Sequence, residues 1–514
     1  MLTGAGAAST LSGRAVRLFA FCTIAALLIY VASTTVGRDI QPFLNLDLTS
    51  NPPSPTTTSE QDQIVLPPSS YFPSEAESEA ESEAVEQMFC PPINSTRYGY
   101  LRDQQITNDN DNDNDNDSDK PPKKKYFIAL NLRTVHPILP RLLSTITTVI
   151  RHLGPSSCTL SIVEGNSDDL TFPVLSALTP FLENEGIEYH LVRSDIDPSG
   201  SNRIGKLAEL RNLALEPLLR SPDSYAIYPE TETYSPPASQ KNERRRRRRQ
   251  RRGGTVLFVN DILPCPSDLL ELLHQRLALN ADMTCGMDWR TTGGPPSEPG
   301  LAFYDVWVAR QISGDTFFDL KPDDPQWRRQ NDLLLSHAKT TERYAGGKPF
   351  QVFSCWNGGV AFRMDALFPS PSLSAAVASG EEVTSGGRGS SVGGGGGGSG
   401  KIGKIESEGL RFRPSGPGEC FSGEPQMFCK DLWLRGMGKI AVVPSVNFEY
   451  TNEKGKAVKE IKGYVEDWLR LEELGQGSPT IDWLPPPKTV RCLGIGWRNQ
   501  DWRPWDEPQE LLAK

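Results

Sequence analysis

The chain of 514 residues carries 54 Lys and Arg against 64 Asp and Glu, a formal net charge of -10, so its overall charge makes no case for nucleic-acid binding. Only 37% of residues are hydrophobic, and 45 Gly and 42 Pro are spread among them. That composition excludes a chain packed throughout, and it predicts one large folded domain of roughly 300 residues or more with tails and insertions of low complexity.

Residues 18–36 (LFAFCTIAALLIYVASTTV) form an uncharged run of 19 residues. At a rise of about 1.5 Å per residue, such a run just crosses the hydrocarbon core of a bilayer. Arg14 and Arg17 precede it without any acidic residue. This is the pattern of a single-pass type II anchor, with residues 1–17 cytosolic and the rest luminal. A cleaved signal peptide is the alternative, but the run is longer than a usual apolar region of that kind and no clear small-x-small site follows it.

Cys22 lies in this run, and eight Cys lie beyond it: Cys90, Cys158, Cys265, Cys285, Cys355, Cys420, Cys429 and Cys492. An even number fits disulfides in an oxidising compartment, with a pairing that spacing does not reveal. No Cys-x-x-Cys or Cys/His cluster points to structural zinc. Residues 37–122 read as a disordered stem with a Pro/Ser/Thr-rich part, an EAES repeat and an Asn/Asp alternation. Asn94-Ser95-Thr96 and Asn116-Asp117-Ser118 are glycosylation sequons with meaning only in the lumen.

Order is expected from about Lys123, in a domain reaching residue 490 and followed by a tail, 491–514. Strands are predicted over 126–132, 159–163 and 187–192, and helices over 137–153 and 170–184. That alternation implies an α/β fold with a mostly parallel central sheet covered by helices on both faces. A helix over 202–219 carries Arg203, Arg211 and Asn212. The two Arg lie two turns apart and can share a face that reaches a phosphate or ribose; an exposed helix face explains the same pattern.

Residues 221–254, centred on Arg244–Arg249, interrupt the core. Such a basic run reads elsewhere as a nuclear or nucleic-acid patch, a reading that the anchor and sequons oppose. The run Thr255-Val256-Leu257-Phe258-Val259 then reads as a strand buried on both faces, and it stops on Asn260 and Asp261. Ligands of open α/β sheets sit at the carboxyl ends of strands. A carboxylate beside a carboxamide there suits a hard divalent cation on a diphosphate, and it equally suits an ordinary turn.

A helix over 268–279 follows, and a strand over 281–289 ends on Asp288 and Trp289. Residues 303–310 alternate as a strand should. Residues 350–363 read as strand, glycine turn, strand, where Trp356, Asn357, Gly358 and Gly359 let backbone approach a ligand. A second insertion, 375–404, is Gly-rich. Beyond it Glu424 and Asp431, seven apart on one helix, make a carboxylate pair suited to acid/base work or to stabilising an electron-poor carbon; a charged helix surface is the plain alternative. A closing strand is expected over 439–444.

Several of these stretches, taken in order, resemble one family, the fungal capsule-associated α-1,3-mannosyltransferases of glycosyltransferase family 69. They are Tyr126 to Leu132, Val163-Glu164-Gly165, Leu207-Ala208-Glu209-Leu210-Arg211-Asn212, Phe258-Val259-Asn260-Asp261, Cys285-Gly286-Met287-Asp288-Trp289, Phe303-Tyr304-Asp305, Trp356-Asn357-Gly358-Gly359 and Phe428-Cys429-Lys430-Asp431-Leu432-Trp433. The resemblance implies a GT-A-like nucleotide-diphospho-sugar transferase fold, GDP-mannose as donor, a mannose-containing glycan as acceptor, retention at the anomeric carbon and a Golgi or ER membrane setting. It implies Mn²⁺ or another divalent cation, for which Asn260-Asp261 stands where the family of folds carries an acidic motif, with Asp261 as metal ligand. Arg203, Arg211, Asn212, Asn260 and Asp261 are then expected at the donor. Trp289, Trp356, Asn357, Gly358 and Gly359 are expected around the sugars, and Asp288, Glu424 and Asp431 at the reacting centre. A catalytically silent glycan-binding protein on the same fold, and a transferase for another nucleotide sugar such as UDP-xylose, are the rival readings.

Overall fold

The computed structural model describes residues 90–102, 123–200, 202–227, 253–292, 300–318, 333, 337–369, 409–473, 480–493 and 500–506. The expected membrane anchor, the sequon at Asn116 and nearly all of both insertions lie outside them. Among the described residues, no helix is long and apolar enough to cross a membrane.

The core is one ten-stranded sheet. Its strands are β1 (Tyr126–Leu132), β2 (Cys158–Gly165), β3 (Glu188–Ser194), β4 (Thr255–Val259), β5 (Met283–Thr292), β6 (Gly300–Phe303), β7 (Arg310–Gln311), β8 (Phe350–Ser354), β9 (Gly359–Arg363) and β10 (Ile440–Phe448). They run in the order β3-β2-β1-β4-β9-β5-β10-β8-β7, with β6 on β5. β1 to β4 are mutually parallel, β5 and β10 are parallel to each other, and β9 is inserted antiparallel between β4 and β5. Seven of the ten strands therefore point one way, which makes this a mixed α/β fold with a mostly parallel sheet. Nearly all of β1, β2 and β4 is buried on both faces, as their continuous apolar runs require.

Helices cover both faces. On one lie α1 (Leu139–Leu153), α2 (Thr171–Ala177), α3 (Thr179–Asn184) and α5 (Pro266–Ala278); on the other lie α4 (Arg203–Arg220) and α7 (Glu424–Leu434). α6 (Ala338–Ala345) sits by β8, α8 (Asn452–Lys462) by β10, and α9 (Val465–Glu473) by α5. The expected single helix over 170–184 is two pieces, because Leu178 is the shared junction and Pro180 must sit in a first turn, where it leaves no carbonyl unpaired.

Four other expectations are corrected. Residues 303–310 are not one strand. After β6 the chain turns on Asp305, whose carboxylate accepts the Val308 amide at 3.4 Å and whose carbonyl accepts the Ala309 amide at 3.2 Å. β10 does not close at Pro444 but runs to Phe448, with a register shift on β5 between Val442 and Asn447 that absorbs the missing proline donor. The stem reading ran too far, since residues 90–102 pack on the core. Tyr98 is buried, and the buried Glu271 of α5 accepts hydrogen bonds from Arg97 at 2.8 Å and from the Tyr98 hydroxyl at 2.9 Å. In that segment the sequon residue Asn94 is the N-cap of the turn Ser95–Tyr98. Finally, 491–514 is not wholly a tail, because β11 (Thr489–Leu493) and β12 (Gln500–Pro504) pair antiparallel.

Six cysteines are joined as Cys90–Cys265, Cys285–Cys355 and Cys420–Cys492. Cys158 and Cys429 are buried and belong to no disulfide. Burial pushes the Cys429 thiol up to about 12, so it is inert at neutral pH.

Candidate active site

A cleft of about 1250 Å³ opens at the carboxyl ends of the parallel strands, between α4 and the start of α7. Its depth comes from the sheet order, in which β4 ends next to β9 and β5, so residues after β4, before β9 and late in β5 converge. Asn260 and Asp261 enter it from the end of β4. Their backbone is pinned: the Asn260 amide donates to the Gly358 carbonyl at 2.8 Å, and the Leu263 amide to the Glu449 carbonyl at 2.8 Å. Gly358 has φ of +82°, and a Cβ there would meet the Ile262 side chain at 2.9 Å. Glycine is therefore required both by the turn and by the close approach.

α4 turns one stripe to the cleft, made of Arg203, Ile204, Leu207, Leu210 and Arg211. Arg203 and Arg211 do share this wall, as expected. Asn212 points about 100° away around the helix. It serves the neighbouring chain instead, exchanging hydrogen bonds of 2.9 Å with both backbone groups of Phe412. Arg211 is caged. Its Nε donates to Glu424 Oε1 at 2.8 Å, its Nη1 donates to Asn260 Oδ1 at 3.1 Å, and its guanidinium lies 4.6 Å from the Trp356 ring centre and 5.3 Å from that of Phe258. Trp356 Nε1 donates to the same Asn260 oxygen at 3.1 Å. That oxygen already accepts two donors, so Asn260 orders the cleft floor rather than offering a free ligand.

The carboxylates differ in their partners. Asp288, late in β5, is buried and lines the cleft; its Oδ1 accepts the Asp305 amide at 3.2 Å and its Oδ2 accepts the Tyr450 hydroxyl at 2.6 Å. Burial, and then the adjacent negative charge of Asp305, push the Asp288 carboxyl well above the ordinary range. Burial also raises Asp305, which accepts the Asn357 amide at 2.9 Å, and it raises Asp261 against the weaker pull of Arg211. Glu424 lines the cleft through α7's first turn.

Asp431 does not reach the cleft. Seven residues along a helix return to the same face but about 10.5 Å further along the axis. There Asp431 is paired with Arg413 through two bonds of 2.7 Å, in a buried cluster with Glu419 and Lys430. Three more expected sugar contacts are structural. Asn357 is buried, with φ of +53°, and donates to the Gly286 carbonyl at 2.7 Å. Gly359 begins β9 beneath the Phe448 ring. Trp289 points into the core, where its Nε1 donates to Asn447 at 2.7 Å. Trp356 and Gly358 do line the cleft.

Sequence reasoning missed Arg133 after β1, Tyr304, Arg290 and Tyr450, all of which line the cleft. The strand reading of 303–310 hid Tyr304 and left Asp305 without a role. The early closure of β10 hid Tyr450.

The cleft collects Arg133, Arg203, Arg211 and Arg290 with Asp261, Asp288, Asp305 and Glu424. No group of three His, Cys, Asp or Glu among the described residues forms a ready metal cage. Asp261 makes no ion pair among the described residues and is half-buried at the cleft, where burial raises its carboxyl. An acidic side chain of that kind fits a cation whose remaining ligands are phosphate oxygens and water.

Residues 125–431 match the model of the family described as cryptococcal mannosyltransferase 1. The chain belongs to this family. The family member is therefore a glycosyltransferase. It is 31% identical over 407 residues, 76% of its own length and 70% of the other's, to an α-1,3-mannosyltransferase, CMT1, of Cryptococcus neoformans var. neoformans serotype D. Among solved structures it overlays on S. aureus TarS 1–349 in complex with UDP, with 12% identity, a TM-score of 0.29, and 64% of this chain on 60% of that one. It also overlays on GalNAc-T7 with UDP, GalNAc and Mn²⁺, with 11% identity, a TM-score of 0.30, and 64% on 43%. Overlays this loose carry no conclusion about the site.

Proposed function

We propose that the enzyme has a GT-A-like donor site and transfers mannose from GDP-mannose to a mannose-containing glycan, in α-1,3 linkage and with retained anomeric configuration. The observation that carries this reading is Asp261 at the carboxyl end of β4, on one cleft with the cationic side chains of Arg133 and Arg203. The bond between the anomeric carbon and the diphosphate oxygen breaks, and GDP leaves with the electron pair. The acceptor oxygen bonds to the same carbon, and its proton passes to the leaving phosphate.

Arg203 and Arg133 offset the charge of the diphosphate. Glu424, held by Arg211, stabilises the electron-poor carbon, and Asp288 orients the acceptor hydroxyl. A divalent cation, if bound, would be held by Asp261 and would supply charge neutralisation to the leaving group. The α-1,3-mannosyltransferase name of the relative supports the linkage and the sugar. The three disulfides support an oxidising, luminal setting, and the uncharged run 18–36 behind Arg14 and Arg17 is the support for a type II anchor in the Golgi or ER.

The test incubates the full-length chain with GDP-mannose, an α-mannobiose acceptor, and Mn²⁺ or EDTA. It reads trisaccharide, free GDP and, separately, GDP binding. We expect transfer to need the cation, and Asp261→Ala to abolish it by about 100-fold or more with an unchanged melting temperature. Metal-tightened GDP binding that disappears in Asp261→Ala is the readout independent of turnover. Transfer from another nucleotide sugar alone would replace the donor, and transfer unaffected by EDTA would remove the cation.

A further inference from the structure

The cleft that Arg133 and Arg203 line is also aromatic at its rim. Tyr304 is 47% exposed and Phe421 39%, among the few large apolar side chains the described surface leaves open. Each is half of a pair that lines the cleft: Tyr304 lies 4.9 Å from Tyr450 and Phe421 lies 5.8 Å from Trp307, centre to centre. Large apolar groups gathered at the mouth of a site mark a binding surface, because their hydration is unfavourable.

The rim is also rigid. The Tyr304 amide donates to the Asp288 carbonyl at 3.0 Å, and the Tyr450 hydroxyl donates to the Asp288 carboxylate at 2.6 Å. Phe421 follows Cys420, which is bonded to Cys492. One aromatic pair is thus fixed on the buried Asp288 and the other is tethered beside a disulfide, so the rim is ordered before a ligand arrives.

We propose that Tyr304, Tyr450, Trp307 and Phe421 form the acceptor subsite, a platform on which the pyranose that receives the new sugar stacks. The chemistry is that of a saccharide face. Its C–H bonds carry partial positive charge and meet the negative face of an aromatic ring, while its hydroxyls project sideways to hydrogen-bonding groups. A diphosphate has no use for such a surface, and Arg133 and Arg203 on the same cleft serve it. The cleft is accordingly divided, with the donor on the side of β1 and α4 and the acceptor on the rim. This assignment rests on the transferase reading above and deepens it.

The experiment uses full-length wild type, Phe421→Ala, Trp307→Ala and Phe421→Trp. It measures KM for α-mannobiose, KM for GDP-mannose, and saturation-transfer NMR of α-mannobiose on the GDP-loaded protein. Both Ala variants should raise the acceptor KM about tenfold with the donor KM unchanged, and Phe421→Trp should restore it. A rise in donor KM with an unmoved acceptor KM would overturn the proposal and give the rim to the nucleobase. No change in either KM would overturn it as well. If wild type transfers no mannose at all, the function reading fails on its own. NMR signal present in wild type and lost in Phe421→Ala would then still support the platform, and absence of signal from wild type would sink it.

Discussion

Asp288 is the residue whose chemistry departs furthest from that of an exposed side chain. Its folded-state carboxyl is raised by burial and by Asp305, so it keeps its proton to higher pH than in the unfolded chain. Its contribution to stability is full below the ordinary carboxylate range and is lost as pH rises through the raised value. Asp288→Asn removes that loss. Melting temperature against pH should therefore match wild type in acid and lie above it at neutral pH, while transfer falls by about 100-fold. A variant that melted lower at neutral pH would contradict this sign. Gly358→Ala should cost stability by about 1–3 kcal/mol, since it pairs a positive φ with a Cβ contact of 2.9 Å to Ile262; chemical denaturation measures it. Asp261 and Glu424 could be placed from sequence because each lies at the end of an element beside the cleft, whereas Asp288, read as a strand end, lies inside β5, which runs on to Thr292. Asn260 was half legible: its position was plain, but the occupation of its oxygen by Arg211 and Trp356 depends on residues far away in the chain.

At the scale of elements, α7 and the segment before it work as a unit. Arg413 is clamped by Asp431 and Glu419, and Lys430 also reaches Glu419 at 3.0 Å. Burial raises the Asp431 carboxyl against the pull of Arg413, while Arg413 and Lys430 hold Glu419 far below its usual value. The cluster fastens the chain that carries Pro414 and Ser415 along the cleft. Asp431→Asn should therefore destabilise the fold by about 3 kcal/mol, seen in a denaturant midpoint, and change turnover less than Glu424→Gln does. Equal loss of turnover in both would return Asp431 to the chemistry. Sequence spacing put both carboxylates on one helical face correctly, but the face is longer than the site. The alternation of strands and helices made the parallel half of the sheet readable. The antiparallel insertion of β9 was not readable, because its partners on β4 and β5 lie far away in the chain.

At the scale of the whole molecule, both insertions leave and re-enter through closed necks. The Gly254 amide bonds the Ala226 carbonyl at one, and the Leu410 amide bonds the Ala366 carbonyl at 2.9 Å at the other. Replacing residues 229–252 by a short Gly/Ser linker should leave the melting temperature and transfer within error, because loop length changes closure entropy only slowly; a large loss in either would show that the insertion does more than connect. The Cys90–Cys265 bond spans 175 residues, so Cys90→Ser should lower stability by about 2–4 kcal/mol.

The same bond straddles the first insertion, whereas Cys285–Cys355 lies wholly before the second and Cys420–Cys492 wholly after it. The two loops therefore respond differently to a protease. A chain nicked within 228–252 stays a single covalent object and migrates as one band until reductant divides it. A chain nicked within 370–408 has no described bridge across the cut, so it separates in detergent with or without reductant. The gel pattern reports, fragment by fragment, which halves of the fold are stapled and which are held by packing alone.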